Sequence, residues 1–327
     1  MNYNFRRICS IELTQQCSNR CIYCFVKANN NYLHQLSLKD VESFLPFILA
    51  SGFKQVHLTG GDILQWKDLE ELLKLLKNFP VNVSMNLNGE SLDKSWCKVL
   101  RHYGSDIEIS VTLNGNQSSH EKLRGYGSYY KALQSINELQ NYNINFTIFS
   151  VVDKKNIDEI FDLVNDMYNA YSSLSKVALI CLTDPVPTKE ISEQFMNTDD
   201  FIKLCDIVYL LHSTGYPVII HGKFQKLYNL VVKEKYKQLN ESFKLEDVEE
   251  VFINADRTIS TYHSKKSFTT ISDDKTLISC INDFKNEELI KNNCSGCINI
   301  PLCSSYNIDI PLQHNGLKFC KGVIESL

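Results

Sequence analysis

The sequence predicts an α/β fold of six successive β–α units, and three observations carry that prediction. Strand-like and helix-like segments alternate at near-regular spacing from residue 8 to about residue 183. The helix-like segments repeat apolar residues at three- and four-residue steps, whereas the strand-like ones are short and apolar or alternate at period two. After residue 183 the rhythm breaks at "TDPVPTKE", a stretch with two prolines that reads as a linker. Alternating units of this kind favour parallel strands joined by right-handed crossovers. Six units are too few for a closed eight-stranded barrel. A doubly wound sheet and a curved six-stranded partial barrel both satisfy the pattern.

"ICSIEL" (8–13) is the first strand. Ser37 with Asp40 three residues on is a capping-box start for a helix whose inner face is Val41, Phe44, Leu45 and Ile48. "KQVHLT" (54–59) is the second strand, and "WKDLEELLKLLKNF" (66–79) is an amphipathic helix with core leucines and a solvated Lys/Glu face. "VNVSMNL" (81–87) alternates as a third strand, followed by a helix from about Ser91 to His102. "DIEISVTL" (106–113), the helix "SYYKALQSINELQ" (128–140) and the strand "INFTIFSVV" (144–152) continue the series. Asn156, with Glu159 three residues on, starts the helix "IDEIFDLVNDMY", and "KVALICL" (176–182) is the sixth strand. Two helices, near 199–212 and 223–237, come next. Short strands follow in "EVFINADRTISTYH" (250–263) and "KTLISC" (275–280). The expected organisation is a β–α block at 1–190, a helical bridging segment at 191–245 and a small cysteine-rich α+β unit at 246–327.

Composition narrows the function. With 43% apolar and 22% charged residues the chain has the make-up of an ordinary soluble protein. A net charge of −4 gives no basic field for nucleic acid. The N-terminus lacks the apolar core of a signal peptide, and no apolar run is long enough to span a membrane. A cytoplasmic placement without membrane association is therefore expected. In that reducing setting twelve cysteines point to metal or redox chemistry, not to disulfides.

The cysteines cluster. Cys17-x3-Cys21-x2-Cys24 lies in the loop after the first strand. Thiolates suit zinc or iron–sulfur clusters. A structural zinc site closes with four ligands, so three local thiolates require a distant fourth or leave a position open. An open position suits a metal centre that does chemistry.

This motif, in this place, resembles the signature of the radical S-adenosylmethionine superfamily, and Tyr23 matches the aromatic residue that commonly precedes its third cysteine. The resemblance covers residues 8 to about 183 and implies that superfamily's partial (β/α)6 TIM-like barrel. It implies a [4Fe–4S] cluster on Cys17, Cys21 and Cys24 whose open iron chelates S-adenosylmethionine. Reductive cleavage would then yield a 5′-deoxyadenosyl radical that abstracts a substrate hydrogen. "LTGGD" (58–62) resembles the family's Gly-Gly-Glu motif, with Asp62 in place of glutamate, and implies cofactor contacts from Thr59, Gly60, Gly61 and Asp62. "NLNG" places Asn88 where the family often has Thr-Asn-Gly. Ser110 matches a serine that often touches the cofactor, and Arg124 of "HEKLRG" is placed to grip its carboxylate. The plain alternatives are a common turn for Gly-Gly-Asp, a satisfied strand hydroxyl for Ser110 and a solvated loop charge for Arg124. His57 reads as a satisfied core histidine.

The tail, Cys280-x13-Cys294-x2-Cys297-x5-Cys303-x16-Cys320, resembles the SPASM extension of radical S-adenosylmethionine peptide maturases, which makes the C-terminal unit an iron–sulfur domain. Asn307 stands where that pattern has a further cysteine. The resemblance implies one auxiliary [4Fe–4S] cluster on Cys294, Cys297, Cys303 and Cys320, with His263 and Cys280 as remnants of a second; a zinc ribbon fits the same spacing. It further implies a ribosomally synthesised precursor peptide as substrate, modified by cross-link, thioether or epimerisation. An electron donor such as flavodoxin or ferredoxin is implied as well. Only about seven residues precede the first strand, so leader binding is expected to use the enzyme's own surface or a separate leader-recognition protein. Cys181, ending the sixth strand, is a candidate hydrogen donor for epimerisation; an inert buried thiol is the plain alternative. A small-molecule substrate and a non-catalytic, cluster-bearing peptide-presenting protein are the rival readings.

Overall fold

The computed structural model describes residues 4–24, 34–103, 106–182, 193–221, 224–236, 246–261, 269–270 and 323. Its strands are β1 (Asn4–Glu12), β2 (Gln55–Thr59), β3 (Asn82–Leu87), β4 (Ile107–Thr112), β5 (Phe146–Val152) and β6 (Leu174–Cys181), then β7 (Val218–Ile220), β8 (Glu246–Ile253), β9 (Thr258–Thr261) and β10 (Thr269–Thr270). The helices are α1 (Leu38–Ala50), α2 (Leu69–Leu76), α3 (Lys94–Tyr103), α4 (Gln117–Arg124), α5 (Ser128–Asn141), α6 (Ile160–Ala170), α7 (Thr198–Ser213) and α8 (Phe224–Tyr236). Among the described residues no helix is long and apolar enough to cross a membrane.

One sheet of order β10-β9-β8-β1-β2-β3-β4-β5-β6-β7 holds every strand. The predicted six strands lie side by side in chain order and parallel. Later segments extend the sheet at both sides: β7 runs parallel to β6, and β8 runs parallel to β1. The sheet curls. β2 and β7 are five strands apart, about 24 Å in a flat sheet, yet His57 on β2, whose pKa is lowered chiefly by burial, is also within electrostatic reach of His221, just after β7. A curled, mostly parallel sheet with helices outside is a partial barrel.

Each strand therefore has two faces. On β1, Cys9 and Ile11 point outward and, with Leu13 just past the strand, pack with Val41, Leu45 and Ile48 of α1 in the main apolar layer. Ser10 and Glu12 occupy the inner face. The leucines of α2, Leu69, Leu72, Leu73 and Leu76, are buried as its spacing predicts. The capping box of α1 is present: Asp40 N donates to Ser37 Oγ at 3.2 Å and Ser37 N to Asp40 Oδ2 at 2.8 Å.

Three local readings are corrected. The first strand starts at Asn4, not Ile8, because β8 pairs with it from Asn4 to Ile11 where β2 does not reach. Asn156 does not cap a helix through its side chain. It ties the chain back to β5 instead, donating to Val151 O at 2.9 Å, while Glu159 accepts from Asn116 N and Ser119 Oγ at the start of α4. The stretch holding "HEKLRG" is helical: α4 is capped by Asn116, whose side chain accepts from Ser119 N at 3.0 Å.

Candidate functional site

The loop after β1 carries the three cysteines across the C-terminal mouth of the strands. Its first part is braced on the turn after β2. Leu13 N donates to Thr59 O (2.9 Å), Gly61 N to Thr14 O (2.7 Å) and Asp62 N to Gln16 O (2.7 Å). This two-backbone contact requires glycine. Gly60 has φ +147°, and a Cβ there would lie 2.5 Å from Thr14 O. A Cβ on Gly61 would collide with the Gln16 carbonyl and sit 3.0 Å from Cys17 Cβ. The Gly-Gly pair thus fixes where Cys17 starts. Asp62, 2% exposed, accepts from Ser91 Oγ (2.5 Å) and Gln65 Nε2 (2.8 Å), which bolts the turn to the segment after β3.

The far part of the loop is held by β3, β4 and α4. Ile22 N donates to Leu123 O at 3.0 Å. The Tyr23 hydroxyl accepts from Asn114 Nδ2 (3.2 Å) and from Arg124 (3.3 Å), and its ring packs against Val151 and Leu182 beside Phe195. Asn88 donates from Nδ2 to Cys17 Sγ at 3.6 Å. Arg124, 4% exposed at the end of α4, donates to Asn88 O at 2.7 Å. With its amide turned to satisfy both neighbours, Asn19 accepts from Arg124 (2.9 Å) and donates to Glu90 (2.7 Å).

Burial pushes the Cys17 thiol up against the pull of the Asn19 backbone and the Asn88 amide, and pushes the Tyr23 phenol up to about 12. Burial also opposes the charge on Arg124, but Tyr23 and the Cys21 and Cys17 thiols around it hold the guanidinium firmly protonated. Its Nε is buried without a partner among the described residues. A buried cation with an unused donor is a ready seat for a carboxylate. The carbonyls of Gly60 and Gly61 accept nothing among the described residues, so they are open to an ammonium donor. Cys17, Cys21 and Cys24 are not disulfide-bonded. Thiols of this kind are ligands for iron–sulfur clusters and for zinc.

Residues 11–167 match the Radical SAM superfamily. Among curated proteins, the sporulation killing factor maturation protein SkfB of Bacillus subtilis is 26% identical over 163 residues, covering 50% of this chain and 40% of SkfB. A GTP 3′,8-cyclase of Clostridium perfringens is 28% identical over 165 residues, 48% of this chain and 50% of the cyclase. The chain thus spans half or less of these relatives' lengths. Among solved structures, anSMEcpe with bound AdoMet and Cp18Cys peptide superposes with a TM-score of 0.68 at 16% identity, covering 98% of this chain and 97% of that one. Residues 11–167 are a radical SAM domain. Its sheet is the partial barrel expected from the resemblance.

Within that domain the structure gathers Cys17, Cys21, Tyr23, Gly60, Gly61, Asn88 and Arg124 into one network. Thr59 enters it through its carbonyl. Ser110 sits deeper, its hydroxyl 3.2 Å from Met85 O and from Asn86 Oδ1. Cys181 is not in the network: it packs in the outer layer with Val177 and Leu179, where burial pushes its thiol far up. His57 is satisfied as expected, with Nδ1 3.0 Å from Ser84 Oγ, and burial lowers its pKa to about 4. The tail residues His263, Cys280, Cys294, Cys297, Cys303, Asn307 and Cys320 lie outside the described residues.

Sequence reasoning did not single out Asn114 or Glu12. Asn114 joins β4, β5 and the cysteine loop, its Oδ1 accepting from Val151 N (2.9 Å) and its Nδ2 donating to the Tyr23 hydroxyl. The repeated Leu-Asn-Gly at the ends of β3 and β4 was its signal. Glu12 is 4% exposed on the inner face; Oε2 accepts from Ala255 N at 3.4 Å, and the Gln15 side chain and this backbone N–H are the groups that partly offset its burial. Burial raises its carboxyl from 4.5 to about 7. The fold therefore binds that proton more tightly than the unfolded chain, and this stabilisation is present below pH 4.5 and lost as pH rises through 7. Glu12→Gln is expected to flatten the stability profile between pH 5 and 8, by up to roughly 3 kcal/mol. Urea unfolding across that range checks it, and parallel profiles for the two chains would contradict it.

Proposed function

We infer that this protein cleaves S-adenosylmethionine reductively and modifies a ribosomally synthesised peptide at a C–H bond. The observation that supports it most is the single network at the barrel mouth, where Cys17 and Cys21, an open Gly-Gly turn and a buried, half-used guanidinium meet, with Cys24 joined to Cys21 through its backbone (Cys24 N to Cys21 O, 3.1 Å). A [4Fe–4S] cluster held by Cys17, Cys21 and Cys24 would supply the electron that splits the sulfonium into methionine and a 5′-deoxyadenosyl radical. The chain's own residues orient and enclose. Gly60 and Gly61 offer carbonyls to the methionyl ammonium, and Arg124 offers its free Nε to the carboxylate. Thr59 and Ser110 line the inner face beneath, and Asp62 keeps the turn in place. Tyr23, Val151, Leu182 and Phe195 form an apolar wall that excludes water from one side of the mouth.

The peptide reading draws on SkfB, named as a maturation protein, and on the whole-length likeness to a structure holding both AdoMet and a peptide. In this reading the tail forms one auxiliary [4Fe–4S] cluster on Cys294, Cys297, Cys303 and Cys320. A flavodoxin or ferredoxin supplies electrons, a separate protein can present the leader, and the site of action is the cytoplasm. A small-molecule substrate is the second reading, favoured by the equal match to a GTP 3′,8-cyclase.

The test is intact mass of a short peptide encoded beside the gene after co-expression, in H2O and in D2O. Loss of two hydrogens would mean a cross-link or thioether, and one deuterium gained only in D2O would mean epimerisation. The Cys17→Ala, Cys21→Ala, Cys24→Ala chain is expected to abolish either change and all 5′-deoxyadenosine formation. Peptide mass unchanged while 5′-deoxyadenosine forms would turn the assignment to a small molecule.

A further inference from the structure

The Asn88 side chain has an orientation that leaves one reading. Its Oδ1 accepts from Glu90 N at 2.9 Å, which fixes which end of the amide is oxygen. Nδ2 is thereby aimed at Cys17 Sγ, 3.6 Å away. The backbone beneath is locked from three sides. Arg124 holds the Asn88 carbonyl at 2.7 Å, and Ser135 Oγ holds the Gly89 carbonyl at 2.9 Å. Gly89, at φ +83°, lies so close to α5 that a Cβ there would sit 2.8 Å from Ala132 Cα. A donor held this firmly does not swing away when the sulfur changes charge.

We propose that Asn88 is a positioning residue that sets the reduction potential of the site's cluster through an N–H···S hydrogen bond to Cys17. The inference rests on the reading that Cys17, Cys21 and Cys24 hold that cluster. The physics is direct. Adding one electron makes the ligating sulfurs richer in charge. A fixed N–H donor stabilises the electron-rich form more than the oxidised one and so raises the potential. The Arg124 cation, sharing the Asn88 carbonyl and felt by both Cys17 and Cys21, acts in the same sense. Asn88 therefore makes the cluster easier for an external low-potential donor to reduce, without itself touching the substrate.

The test uses the full chain, reconstituted without oxygen, and follows by EPR-monitored titration the cluster whose signal changes when S-adenosylmethionine is added. Asn88→Ala is expected to shift its midpoint to more negative potential, and Asn88→Asp, which replaces the donor with an acceptor, to shift it further. Iron and sulfide content should match wild type in both. Equal midpoints in all three fully loaded chains would overturn the proposal. Should the variants fail to load, pulsed EPR of the reduced wild-type chain carrying ¹⁵N-asparagine decides. An asparagine nitrogen and an exchangeable proton coupled to the cluster are expected, and their absence would overturn it. A wild-type chain holding no cluster, or a Cys17→Ala, Cys21→Ala, Cys24→Ala chain that keeps the S-adenosylmethionine-responsive signal, would bring down the cluster reading and the proposal with it.

Discussion

Gly61→Ala is expected to cost about 10²-fold or more in 5′-deoxyadenosine formation while the chain still folds. The added methyl meets backbone, not a flexible side chain: the Gln16 carbonyl stands in its place and Cys17 Cβ is 3.0 Å away. Relief requires the 14–17 segment to move away from the turn, breaking the paired 2.7 Å bonds from Gly61 N and Asp62 N. Displacement of a reacting group by about 1 Å is enough for a loss of that size. The apolar layer lies on the other face of the strands and should be little disturbed, so the far-ultraviolet dichroism should stay as in wild type. Iron per chain and 5′-deoxyadenosine yield under strong reduction check the prediction. Wild-type yield in Gly61→Ala would show that the turn does not position the cysteine loop.

Arg124→Gln is expected to weaken S-adenosylmethionine binding by about 2–5 kcal/mol, the usual cost of removing one partner of a buried, hydrogen-bonded charge pair. The residue is 4% exposed, and its contacts to Tyr23 and Asn88 leave Nε without a partner. Arg124→Lys should fall between, because an ammonium keeps the charge but loses the planar fork that reaches several partners at once. Isothermal titration of the reconstituted chains with S-adenosylmethionine separates them. Wild-type affinity in Arg124→Gln would remove this guanidinium from the binding site and leave it a brace for the cysteine loop.

The regular part of the fold was legible because it is written locally. Each of the six β–α units carries its own period, and the Ser37 box and the α2 leucines appear where that period places them. The cysteine spacing is likewise a local signal. Other features depend on partners distant in sequence. Nothing in "NFRR" marks it as strand; β8 does, some 240 residues later. Helix α4 buries only His120, Leu123 and Arg124, too few for an apolar stripe, so the sequence marks Arg124 through its motif alone and leaves a solvated loop charge as the alternative. In "KVALIC" both faces of β6 are apolar, and alternation could not tell that Cys181 points outward. The neutral state of His57 and the raised carboxyl of Glu12 follow from enclosure by the curled sheet, which is a property of closure and not of any short stretch.

The pairing of β1 with β8 also bears on how the chain comes off the ribosome. β1 is made before the other strands described, and the neighbour that covers its outer edge is made on the order of ten to fifty seconds later at ordinary elongation rates. Throughout that interval the nascent chain shows a bare strand edge, the kind of surface on which other chains nucleate. Binding of chaperones to the emerging chain, and its yield at raised temperature, should therefore be governed less by the six-unit block than by how promptly Glu246–Ile253 arrives to close it.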